Sequence, residues 1–83
     1  MNSTLKDLVR AAIDISIIYY AEDMGKNAQY IHKKLTPGSW TVYIWKNNYY
    51  EYWTVYECRH MEYWGYLSNY GTFGWSYYIV YAH

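Results

Sequence analysis

Three residues at alternate positions, Cys58, His60 and Glu62, are of types that nucleophilic or metal chemistry uses. On one continuous strand they would share a face. A thiol beside an imidazole makes an activated nucleophile, and Cys, His and Glu all ligate metals. The set stops short of either. A nucleophile site needs a third group to orient the base, and a structural zinc needs four ligands. The plainer reading makes Cys58 a half-buried apolar residue, with His60 and Glu62 near a sheet rim. Glu51 and Glu57 lie six residues apart, about 20 Å along a strand, too far to act as paired carboxylates. Asp14 falls in a helical stretch and is expected to meet solvent, an N–H or a hydroxyl. Gly71-Thr72-Phe73-Gly74 lacks the Lys-Ser/Thr and the helix of a phosphate loop. His32 is expected to be solvated, and His83 is terminal. The expectation is a non-enzymatic protein with no cofactor and no metal.

The stronger pattern is aromatic. Trp40-Thr41-Val42-Tyr43-Ile44-Trp45-Lys46 and Tyr49-Tyr50-Glu51-Tyr52-Trp53-Thr54-Val55-Tyr56 flank Asn47-Asn48. Asn tolerates positive φ, so the pair fits a two-residue type I′ hairpin turn. That turn predicts Lys46 opposite Tyr49, Trp45 opposite Tyr50, Ile44 opposite Glu51, Tyr43 opposite Tyr52 and Val42 opposite Trp53. Beyond these, Thr41 faces Thr54 and Trp40 faces Val55. Alternation then puts Trp40, Val42, Ile44, Trp53 and Val55 on a core face, with Lys46, Tyr49 and Glu51 toward the turn. The other face carries Thr41, Tyr43, Trp45, Tyr50, Tyr52, Thr54 and Tyr56. Tyr, Trp and Thr are also good strand formers, so propensity accounts for part of this. A contiguous exposed aromatic surface nevertheless marks an interface, because Tyr and Trp combine large area, low ordering cost and a polar tip. Tyr43, Trp45, Tyr50, Tyr52 and Tyr56 are the expected partner contacts.

Composition narrows the partner. The 83 residues include 14 Tyr and 5 Trp, and the formal net charge is zero. A chain of this size makes one domain, residues 1–83, with a helical part over 1–35 and a sheet over 40–82. Neutrality argues against a phosphate-backbone binder and removes the repulsion that keeps copies apart. The expected partner is therefore a larger protein, with a homodimer as a second possibility. One cysteine permits no internal disulfide and favours a reducing compartment. The most apolar stretch, Ala11 to Ala21, contains Asp14 and Ser16 and is too short to span a bilayer. No signal peptide is recognised, so the expected location is cytoplasmic and away from membranes.

The elements that must hold the hairpin follow in order. Thr4 can cap a helix running to about Met24, with Asp7 at the capping-box position. Leu5, Leu8, Val9, Ala12, Ile13, Ser16, Ile17 and Tyr20 make one apolar stripe. Ile15, Ile18 and Tyr19 fall outside it and predict a second buried contact. Gly25 is expected to end this helix, and Asn27 to cap a shorter one through Leu35. Thr36-Pro37-Gly38-Ser39 then turns the chain. After the hairpin, Met61 to Leu67 is a third strand with a bulge at Gly65, residues 68–74 are a loop, and Trp75 to Tyr81 is the last strand. This predicts an α+β fold: two N-terminal helices packed on one face of a four-stranded antiparallel meander sheet.

Ile31-His32-Lys33-Lys34 in the second helix, Trp40 opening the hairpin, and Arg59-His60-Met61 through Tyr66-Leu67 resemble the dynein light chain family over about half the chain. The resemblance implies a homodimeric adaptor that binds peptides by strand addition. The chain departs from that family in lacking a Gly-Phe-Gly-Ser-like stretch after the first hairpin strand, in a shorter segment before Trp40 and in a longer last loop. In size, neutrality and aromatic load it also looks like small phage or viral accessory proteins such as anti-CRISPR inhibitors. The leading expectation is an inhibitor or adaptor that occludes a larger protein. Strand-addition dimers, and an aromatic platform for single-stranded nucleic acid or sugar, are the alternatives.

Overall fold

A computed structural model describes residues 3–35, 39–53 and 61–82. Two helices, α1 (Ser3–Tyr20) and α2 (Met24–Lys34), precede four strands: β1 (Ser39–Lys46), β2 (Tyr49–Trp53), β3 (Met61–Tyr70) and β4 (Trp75–Ala82). The strands form one antiparallel sheet, and the fold is α+β with the helices on one face. The order across the sheet is β2-β1-β4-β3, which replaces the expected meander. Two hairpins stand side by side, joined by pairing of the first strand with the last. Composition explains the arrangement. Val42 and Ile44 of β1 and Tyr77 and Ile79 of β4 are fully buried, so these strands take the centre. β2 carries Glu51, and no Gly or Pro lies between Trp53 and Met61 to turn the chain tightly into a β2–β3 hairpin.

The first hairpin has the predicted register, from Lys46↔Tyr49 through Val42↔Trp53. Its turn differs. Asn47 has φ 55° and Asn48 is not in the positive region, the φ pattern of a type II′ rather than a I′ turn. The second hairpin has a shorter loop than expected, because β3 runs on to Tyr70. Gly71 (φ 78°) and Gly74 (φ 67°) supply the positive φ of that turn. The predicted bulge at Gly65 coincides with a register shift between Tyr63 and Gly65. Both turns lie at one end of the sheet, where Lys46 Nζ donates to Phe73 O at 2.9 Å.

The helices are joined more tightly than the sequence suggests. α1 ends at Tyr20, and Ala21, not Gly25, takes the left-handed conformation, with φ 50°. Its N–H donates to Ile17 O at 2.9 Å. Gly25 lies in the first turn of α2, and the N-cap is Asp23 rather than Asn27; Asp23 Oδ1 accepts from Lys26 N–H at 3.1 Å. Asn27 is instead fully buried. Its Nδ2 donates to Ala21 O at 3.0 Å and to Asp23 O at 2.8 Å, fixing the inter-helix turn. These bonds hold an alanine in a conformation that costs about 1–2 kcal/mol.

The described residues share one core. Val9, Ala12 and Ile13 of α1 and Met24, Ala28 and Ile31 of α2 join Leu35 above the inner sheet face. α2 lies along β1 and β2, and α1 packs on α2. Tyr70 donates from its hydroxyl to Asp14 Oδ1 at 3.1 Å, which ties α1 to β3 and gives Asp14 the hydroxyl partner envisaged for it. Leu8, expected in the apolar stripe, is 46% exposed. Ile15, Ile18 and Tyr19, for which a second buried contact was expected, are exposed, Ile18 to 78%: no described residue of the chain covers them. His32 is half-buried rather than solvated, and desolvation holds its imidazole below the usual pKa.

Candidate functional site: the outer face of the sheet

The helices lie on one face, and among the described residues nothing covers the other face of the sheet. Alternation along β1 sends Val42 and Ile44 inward and Thr41, Tyr43 and Trp45 outward. Tyr50 and Tyr52 follow on β2, 52% and 54% exposed. Their rings are packed together. Tyr43 stacks on Tyr50 at 5.3 Å between centroids and 8° between planes. It also stacks on Tyr52 at 6.2 Å and 15°, and Tyr50 lies 6.3 Å from Tyr52. Trp45 meets the edge of Tyr43 at 5.5 Å. Ring pairs of this kind contribute about 0.5–1.5 kcal/mol each beyond area burial. The rings are thus set in place by one another, and a ligand would meet an ordered surface. Of the five expected contacts, four come together. Tyr56 lies outside the described residues, as do the side chains of Trp40, Trp53 and Val55, and Cys58 and His60.

β4 adds a residue that sequence reasoning missed. Tyr78 is the backbone partner of Tyr43 on the side opposite Tyr52. Tyr66 of β3 pairs in turn with Tyr78. One register row therefore runs Tyr52, Tyr43, Tyr78, Tyr66 across all four strands, about 14 Å by strand spacing. The signal was the Tyr77-Tyr78 pair, one ring for each face. Reading it required knowing that β4 adjoins β1.

Beside this row, toward the turn, is a hollow of about 440 Å³ lined by Tyr43, Trp45, Tyr49, Tyr50, Tyr78, Asn47 and Asn48. Among the described residues, none that lines it is acidic or basic. Tyr49 donates to Glu51 Oε1 at 2.6 Å. That bond, reinforced by the carboxylate's charge, raises the phenol's pKa and keeps it protonated. Glu51 sits on the inner face near Gly25, at the N-terminal end of α2, where the helix dipole favours an anion. The hollow offers apolar walls with phenol and amide tips. Such a surface can seat an apolar or aromatic anchor and hydrogen-bond its surroundings.

No family model, curated protein or solved structure matches this chain. Among the described residues, no helix is long and apolar enough to cross a membrane.

Proposed function

We propose that the chain is a non-catalytic protein-binding module that occludes a larger partner with its outer sheet face, in the manner of a small inhibitor or adaptor. The ordered row of Tyr52, Tyr43 and Tyr78 beside an uncharged hollow carries this reading. Large amphipathic rings held in place have little ordering entropy left to lose on binding. Truncating central anchors of this type costs about 2 kcal/mol or more, roughly thirtyfold in affinity. Capture of partners from host lysate with the wild type and with Tyr43→Ala/Tyr52→Ala tests it. A partner bound by the wild type and lost by the variant supports the reading, and equal recovery of every protein sinks it. The location proposed with it is cytoplasmic, on the strength of one cysteine in 83 residues.

A second reading rests on α1. Leu8, Ile15, Ile18 and Tyr19 are exposed along it at spacings of seven, three and one, an apolar strip fit for a second copy. Sedimentation over a dilution series separates the two. A monomer at every concentration removes the dimer.

A further inference from the structure

The zero net charge of the chain conceals a charged helix. α2 contains Lys26, Lys33 and Lys34 and no Asp or Glu. The spacing from 26 through 29 and 30 to 33 keeps these positions on one side of the helix. Met24, Asn27, Ala28 and Ile31 are buried against the core, so the lysine side faces away from the sheet. With Gln29, Tyr30 and Tyr20 of α1, the three lysines line a cleft of about 700 Å³, and among the described residues none in its walls is acidic.

The helix dipole accounts for only part of this. Lys33 and Lys34 stand in the last turn of α2, where a cation is favoured. Lys26 stands in the first turn, where a cation is disfavoured, yet it lines the same cleft. Aromatic rings border the lysines. Tyr30 lies 5.8 Å from Tyr20 and 5.7 Å from Tyr19, centroid to centroid. Tyr19 is 66% exposed and Tyr20 38%. Ammonium groups beside accessible ring faces are the two components by which proteins hold single strands: cations for the phosphates, rings for the bases. Lys26 and Lys33 lie about 10 Å apart along the helix axis, enough to meet more than one phosphate.

We propose that the α2 cleft binds the phosphodiester backbone of a single-stranded nucleic acid, with Lys26, Lys33 and Lys34 neutralising phosphates and Tyr30 and Tyr20 receiving bases. The site is on the helical side of the molecule, away from the outer sheet face, so it does not depend on the reading given for that face. It also qualifies the argument from net charge, which averages over elements.

The test is fluorescence anisotropy of a labelled oligothymidylate with the full chain at several salt concentrations. Three neutralised phosphates give a slope of log K against log salt of about −2, or roughly twentyfold weaker binding at 200 mM than at 50 mM. Lys33→Gln/Lys34→Gln, on the solvent side and checked for folding by circular dichroism, brings the slope to about −0.7 and the salt effect to about threefold. Tyr30→Ala weakens binding with the slope unchanged, and Tyr43→Ala/Tyr52→Ala leaves both intact. The proposal is overturned by no binding at low salt, by lysine variants that bind like the wild type, or by loss of binding in the sheet-face variant. It is equally overturned if polyglutamate or inorganic pyrophosphate displaces the oligonucleotide at matched charge concentration, since the cleft would then read anions without regard to the strand.

Discussion

Replacing Tyr77 with Phe should stabilise the protein. Tyr77 is fully buried on the inner face of β4, and its hydroxyl has no hydrogen-bond partner among the described residues. Its ring packs edge-on to Tyr70 at 6.2 Å, a contact that Phe retains. A buried hydroxyl left unpaired costs about 1–3 kcal/mol, so Tyr77→Phe should gain about that much. For a domain of this size each kcal/mol moves Tm by about 4–8 °C. The same burial gives a second readout. Desolvation, with smaller contributions from Tyr70 and Asp14, raises the Tyr77 pKa far above 10. The folded state then keeps its proton where the unfolded state loses it. The associated stability is complete below pH 10 and falls above it, by about 1.4 kcal/mol per pH unit for one such group. Denaturant titrations of wild type and variant at pH 7, 10 and 11 measure both effects. The variant should be the more stable at pH 7 and show a shallower alkaline loss. A loss of more than about 1 kcal/mol at pH 7 would show that the hydroxyl is satisfied and refute the reasoning.

Other substitutions probe the scaffold beneath the site. Asn27→Ala removes both bonds that hold the inter-helix turn, so it should lower unfolding free energy by about 1 kcal/mol in urea titration, the loss being offset in part because the buried Asn27 Oδ1 has no partner among the described residues. Gly25→Ala should stabilise by about 0.5–1 kcal/mol, because the new Cβ would meet Glu51 Cδ at an ordinary 3.5 Å; a loss would restore Gly25 as a helix terminator. Gly74→Ala should destabilise by about 1–2 kcal/mol or more, since φ there is +67° and the added Cβ would lie 2.5 Å from Asn69 Oδ1.

How much was legible in the sequence depended on range. The β1–β2 register was readable because alternation and a two-residue turn are local, and every described pair from Lys46↔Tyr49 to Val42↔Trp53 agrees. The bulge near Gly65 was readable for the same reason. The pairing of β1 with β4 was not, because it joins residues between 31 (Trp45↔Ser76) and 43 (Ser39↔Ala82) positions apart and carries no turn signal. Tyr78 was lost with it. The helix boundary misled because Gly25 has the residue type of a terminator, whereas Ala21 holds the left-handed conformation through tertiary bonds from Asn27. The α2 cleft was hidden by arithmetic: three lysines on one helix cancel against acids placed elsewhere in the chain.

In the proposed function the outer tyrosines bind a protein and the inner residues fold the chain. Affinity capture from host lysate addresses it most directly, using wild type, Tyr43→Ala/Tyr52→Ala and, as a control on α1, Leu8→Ser/Ile18→Ser, each shown folded by circular dichroism. A partner should be recovered by the wild type and the α1 control and lost, by roughly thirtyfold or more in affinity, with the sheet-face variant. Recovery of the same proteins by all three would contradict it.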